Sequence, residues 1–223
     1  MNRLRRVVVV SLITTVLAFA LANLPPTHAG AIEKVLAADE PPGAGASGAG
    51  ETGRRILLGP EAISEGRIAM NEIFKRRHAV RSYQSRSLSR KDLLAILAAA
   101  DSAPSAGGLK AREVIVVTDD ATKKRLVEAA HGQEFVAQAP VIFVFWSVPS
   151  RSASKYGVRG RDLFALQDAT IATSFAWLQA VASGLGACWV GAFDDEAVRS
   201  IFRERIGRDW RPVALLPVGY AAE

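Results

Sequence analysis

The chain has 223 residues, 49% of them apolar and 22% charged, with 28 Lys and Arg against 22 Asp and Glu for a formal net charge of +6. That size and balance describe a globular chain able to bury one substantial core. A single Cys and three scattered His exclude both a disulfide scaffold and a Cys/His zinc centre.

Residues 1–31 read as an export signal or membrane anchor. Arg3, Arg5 and Arg6 precede an uncharged run from Val7 to Leu24, Pro25-Pro26 ends it, and Ala29-Gly30-Ala31 fits a small-residue cleavage site. The expected location is therefore exported: the bacterial periplasm, or the outer face of the cytoplasmic membrane if the segment stays attached. Residues 32–53, including the tract DEPPGAGASGAGETG from Asp39, have no apolar periodicity and read as a flexible linker. One folded domain is expected over 54–223.

Within it, Ala69 to Arg77 reads as a short amphipathic helix with Met70, Ile73 and Phe74 inward. Ser89 with Asp92 three residues on resembles a capping box and opens a helix from Arg90 to about Ala100. Ser102 to Gly108 is a small-residue breaker. Glu113 to Thr118 is a β-branched strand, Asp119-Asp120 open a helix to Ala130, and Val141 to Val148 is a second buried strand. A long helix is expected from Arg161 to Ser183, stopped by Gly184 and Gly186. A strand over Cys188 to Phe193, a helix from Asp195 to Arg205 and a last strand over Val213 to Val218 complete the chain. No regular βαβ repeat is present, which predicts an α+β fold around a mostly antiparallel sheet flanked by helices. The charge-free run from Ala169 to Phe193 is long enough to raise a membrane span. Its Thr170, Thr173, Ser174 and Gln179 and its Gly184-Leu185-Gly186 break favour a soluble core or a subunit interface instead.

The positive charge is concentrated. Lys75 to Lys91 holds seven basic residues and no acid, whereas the rest of the domain is nearly balanced. A solvated surface is the plain reading, and an anion site is the sharper one, because arginine offers a planar fork of donors that matches phosphate. Nucleic acid is disfavoured, since only Tyr83 interleaves with these cations. No G-x-G-x-x-G follows a strand and no Walker A sequence occurs. Ser105 follows a helix and precedes a strand, the reverse of a nucleophile elbow. Cys188, in an apolar run, reads as a structural thiol, and no metal site or catalytic side chain is put forward. Three features remain: the basic turn Arg76 to Arg81, the small-residue loop Pro104 to Gly108, and the segment Trp189 to Phe193 with its glycine. Cations for a phosphate, a close backbone cradle for a flat ring and a directed N–H are what a flavin mononucleotide requires.

RRHAVRSY (Arg76 to Tyr83), SAPSAGGLKAREVIVV (Ser102 to Val117), APVIFVF (Ala139 to Phe145), LQDATIATSFAWLQAVASGLGACWVGAFD (Leu166 to Asp194) and RPVALLPVGY (Arg211 to Tyr220) together resemble the nitroreductase family. The resemblance implies an FMN-dependent oxidoreductase that moves hydride from NADH, NADPH or another donor to an organic acceptor such as a nitroaromatic or quinone. It also implies a homodimer with two interfacial FMN sites and a long central helix at the interface. By position, Arg77, His78, Ala79 and Arg81 match the turn that grips the FMN phosphate and ribityl chain. Pro104, Ser105, Ala106 and Gly107 match the loop beside the isoalloxazine. Gly191, flanked by Val190 and Ala192, matches the residue whose N–H faces flavin N5. Departures are visible: Ala79 stands where many members have serine, and Gly108-Leu109-Lys110-Ala111-Arg112 replaces an Asn-x-Gln-Pro-Trp motif. The sequence also stops at Glu223, without the basic tail of many members, so Arg76, Arg159 or Arg161 is expected to stand in at the phosphate. Two other readings stand beside this one: an exported, non-catalytic flavin-binding or structural module, and a dehydrogenase oxidising azoline rings in peptides.

Overall fold

The computed structural model describes residues 70–222. The first helix, α1, covers residues 70–76. It is followed by α2 (Arg90–Ser102), β1 (Arg112–Val117), α3 (Asp120–Ala129), α4 (Phe135–Gln138) and β2 (Val141–Ser147). Then come α5 (Pro149–Arg159), a π-turn (Gly160–Phe164), α6 (Ala165–Ala182), β3 (Gly186–Ala187), α7 (Asp195–Ile201) and β4 (Arg211–Gly219). Every strand pairing in the four-stranded sheet, ordered β1-β2-β4-β3, is antiparallel.

The alternation of each strand builds a core on both faces of this sheet. Val114, Val116, Phe143, Phe145 and Leu216 point to the side covered by α2 and α6. Ile115, Val117, Ile142, Val144, Trp146 and Leu215 point to the side covered by α3, α4 and α7. This is why β1 and β2 read as continuous apolar runs: all of their residues are buried. In α6 the residues against the sheet are small, Ala169, Ala172, Ala176 and Ala180, so the helix approaches closely.

Several local expectations hold. Ser89 caps α2, its Oγ accepting from Asp92 N–H at 3.1 Å and donating to Asp92 Oδ2 at 2.7 Å. Asp119 caps α3 through Thr122 N–H at 2.8 Å, and α6 ends before Gly184, where Leu185 N–H reaches back to Ala180 O at 2.9 Å. Others need correction. The strand expected over Cys188 to Phe193 is only Gly186–Ala187, with Val190 making a separate bridge to Leu215, because the chain leaves the sheet once Gln133 and Ala129 take up the 192–194 backbone. The helix expected from Arg161 begins as the π-turn and becomes α-helical at Ala165, and the helix from Asp195 ends at Ile201 rather than Arg205. In α1, Met70 and Phe74 are 49% and 53% exposed rather than inward.

Residues 1–53, with the expected signal and linker, lie outside the described residues. Among the described residues no helix is long and apolar enough to cross a membrane. The exported or membrane-face location is corrected on that finding and carries no further argument.

Candidate functional site

The basic turn follows directly from α1. Arg77 N–H donates to Ile73 O at 2.9 Å, closing the helix, and its guanidinium lies 4.7 Å from the centre of the Trp177 ring on α6. His78 Nδ1 donates to Arg76 O at 2.8 Å, and a carbonyl can only accept, which assigns the ring proton to Nδ1. Ala79 then pairs in parallel with Ala187, and Val80 N–H donates to Ala187 O at 3.1 Å. Arg81, exposed, sits 5.9 Å over the Phe135 ring. Lys75 and Arg76 are paired with Glu72. Arg77 and Arg81, by contrast, have no carboxylate partner among the described residues.

Two buried residues hold this turn on the sheet edge. A Cβ on Gly186 would stand 2.8 Å from Val80 Cγ1, so only glycine lets the turn lie this close to β3. The Tyr83 hydroxyl donates to Val80 O at 2.6 Å, with Pro217 O 3.2 Å away. Burial pushes the Tyr83 phenol well above its ordinary pKa, so it remains a donor. The sequence shows Tyr83 only as the single aromatic among these cations; its part in holding the turn is visible only in the fold.

From Ala187 the chain runs on through buried Cys188, whose thiol is pushed up by burial against an opposing pull from Arg81, to the third predicted stretch. Val190 exchanges both backbone hydrogen bonds with Leu215, at 2.9 and 3.0 Å. Gly191 and Ala192 are exposed. Ala192 O accepts from Gln133 Nε2 at 2.9 Å, while Gly191 N–H meets no acceptor among the described residues. The basic turn and this stretch therefore share one edge of the protomer.

The small-residue loop does not join them. It enters β1 at Arg112, and Arg112 lies across from Ser147 and Arg211, whereas the basic turn joins the sheet at Ala187 opposite Val218. From 211 to 218 along β4 is roughly 23 Å at ~3.3 Å per residue. One carboxylate organises the loop. Asp168, 2% exposed and the only charged residue of α6, accepts from Ala106 N–H at 2.9 Å and from Ala111 N–H at 3.0 Å. Ser105 Oγ accepts from Lys110 N–H at 2.9 Å, and Arg112 Nη2 satisfies the last carbonyls of α2, with Ala103 O at 2.9 Å. Pro104 and Gly107 are exposed, and Ser105 and Ala106 half-buried. Asp168 was readable only as the last charge before a charge-free run; its partners, about sixty residues away in sequence, were not.

Gly107 has φ +59°, and a Cβ there would meet the Tyr156 hydroxyl at 2.4 Å and Lys155 Nζ at 2.9 Å. Both are tips of flexible side chains, so the backbone decides the cost. Gly107→Ala is expected to lose about 1–2 kcal/mol of stability, the usual left-handed penalty, with Tyr156 swinging aside. Urea unfolding measures this, and an unchanged midpoint would mean that the loop relaxes freely.

The nitroreductase family model matches residues 74–138 and 130–220. The chain belongs to the nitroreductase family. It is 30% identical over 175 residues to an NADH dehydrogenase of Thermus thermophilus, covering 66% of this chain and 84% of the relative. It is 28% identical over 170 residues to an FMN reductase (NAD(P)H) of Bacillus subtilis, covering 69% and 68%. Among solved structures, a nitroreductase family protein from Clostridium novyi superposes with a TM-score of 0.62 at 26% identity, covering 69% of this chain and 86% of that one. An FMN-dependent nitroreductase from Clostridium difficile gives 0.58 at 28% identity, covering 68% and 87%. Membership of this family makes the chain a nitroreductase-like oxidoreductase. Of the other cations expected at the phosphate, Arg76 is paired with Glu72, Arg159 lies 5.3 Å over the Phe164 ring, and Arg161 lines a cavity beside Arg211, away from the basic turn.

Proposed function

We propose that FMN binds where the basic turn meets the backbone leading to Gly191, and that a second copy of the chain completes the site with its small-residue loop. The observation carrying this reading is the Val80–Ala187 pairing, which ties two uncompensated guanidiniums to a stretch ending in an exposed, unpaired N–H. These residues fit the group chemically: guanidinium forks suit a phosphomonoester, and a free backbone donor suits the edge of the ring. Trp177, beneath Arg77, adds a buried indole N–H with no acceptor among the described residues.

FMN, when bound, supplies the two-electron redox chemistry. Arg77 and Arg81 hold its phosphate, with His78 and Ala79 shaping the turn between them. Gly191 N–H, set by Val190 and Ala192 on either side, orients the ring and offers a donor where negative charge grows. The partner's Pro104, the partner's Ser105, the partner's Ala106 and the partner's Gly107 exclude water from the opposite side with backbone and small side chains.

Dimerisation is supported by apolar surface on the two elements flanking the basic turn. Met70 and Phe74 on α1 and Leu166 and Phe175 on α6 are all more than one-third exposed in a single protomer, which is costly in water and is relieved by a second copy. The names of the relatives favour a reduced nicotinamide nucleotide as electron donor. A nitroaromatic or a quinone is the acceptor class.

The test is a spectrum of the purified chain with and without added FMN, alongside its mass in solution. Expected are a yellow protein with one FMN per chain, a dimer of the 23.8 kDa subunit, and oxidation of NADH or NADPH when a quinone is added. A colourless monomer that ignores added FMN would overturn the proposal.

A further inference from the structure

At the Arg211 end of β4, opposite the end where the basic turn joins, a cavity of about 630 Å³ opens between the start of α5, the π-turn, α7 and the residues entering β4. That volume lies within the ~300–1,000 Å³ of small-molecule sites. Four guanidiniums line it, and they divide into two kinds. Arg199 is fully engaged: it donates to Trp210 O and to Arg208 O, and its Nε lies 3.6 Å from Glu196 Oε1. Asp209 is engaged as well, its Oδ2 accepting from Ser150 N–H at 2.6 Å. Burial would raise the Asp209 pKa, but the bonds from Ser150 outweigh it and hold the carboxyl below its ordinary value. These contacts make a fixed wall.

Arg161, Arg208 and Arg211 are different. Among the described residues none of their side chains has a carboxylate or carbonyl partner. They come from two segments, Arg161 from the π-turn and Arg208 and Arg211 from the stretch that enters β4, and besides Asp209 and Glu196 the only carboxylate lining the cavity is Asp195, in the first turn of α7. Convergence of unpaired like charges is unfavourable unless an anion balances them. A second, independent feature concerns Arg161. It is delivered by the π-turn, a rare geometry frequently found at functional sites. That turn is pressed onto α5 so tightly that a Cβ on Gly160 would stand 2.5 Å from Ser152 O.

We propose that this cavity is a binding site for a compact, phosphate-bearing small molecule, distinct from the FMN site. Guanidinium forks match phosphate oxygens, and the lining offers no aromatic side chain on which a base could stack, so the phosphate itself is the recognised group. Calorimetry on the full chain saturated with FMN, at constant ionic strength, tests this with pyrophosphate and a sugar phosphate as probes. Expected is one saturable site per chain for at least one probe, weakened about tenfold or more in the Arg161→Ala/Arg211→Ala double variant and unchanged in a charge-matched control, Lys91→Ala/Lys124→Ala, at two exposed residues outside both sites. Arg161 and Arg211 are exposed, so the double variant should melt as the wild type does without ligand. No saturable binding of either probe, equal binding by the double variant, or an equal loss of binding in the lysine control overturns the proposal. The last outcome would mean that the anion responds to net charge alone.

Discussion

Replacing Asp168 by alanine should cost about 3–5 kcal/mol of stability. Its carboxylate is buried and accepts two backbone N–H bonds, from Ala106 and Ala111. Charge-assisted bonds of this kind contribute about 1.5–3 kcal/mol each, and removing the acceptor also strands the N–H of fully buried Ala111. For a chain of this size the melting point should fall by roughly 10 °C. Asp168→Asn should fall between, because its amide keeps one acceptor and turns a donor toward the other N–H. Denaturant unfolding of both variants measures the effect. An alanine variant within 1 kcal/mol of wild type would show that the loop is held by something other than this latch. Since the same loop is proposed to cover the flavin of the neighbouring subunit, FMN retention should fall with stability in this series.

Loss of both Arg77 and Arg81 should weaken FMN binding by about 2–5 kcal/mol, or roughly thirty-fold to several thousand-fold. Neither side chain is buried and neither is paired with a carboxylate among the described residues, so the double alanine variant should melt close to wild type. Titrating FMN into the stripped protein by fluorescence quenching separates the two quantities. Lysine at both positions should recover part of the affinity, since it restores charge but not the planar fork. Wild-type affinity should also fall with salt more steeply than that of the alanine variant. Unchanged retention in the double variant would remove the basic turn from the phosphate site and leave Arg86, 3.9 Å over the Tyr220 ring, as the next cation to test.

Most helices and strands could be read from local pattern because local physics dictates them. Ser89 and Asp119 lie where a cap is worth about 1 kcal/mol, and the β-branched run VIVV (Val114 to Val117) and the run VIFVFWS leave no polar face for any element but a doubly buried strand. The α5 helix could not be read this way. PSRSASKYGVR is mostly polar with an internal glycine, and it is helical because Pro149 starts it and Asp209, far along the chain, accepts from Ser150 N–H. The 188–193 stretch failed in the opposite direction. Its residues favour a strand, but Gln133 Nε2 and Ala129 O draw the 192–194 backbone away from β4.

By itself the sequence determined an α+β fold around an antiparallel sheet, with the excess positive charge in a single window, because composition, periodicity and charge counting are sums over neighbouring residues. The same information settled the family, since the motifs recur in order. Only the tertiary structure decided that the basic turn and the Gly191 stretch share an edge while the Pro104–Gly107 loop lies at the other end of the sheet. That separation follows from strand order and from the length of β4, which bring residues about a hundred positions apart into contact and keep others roughly 20 Å away.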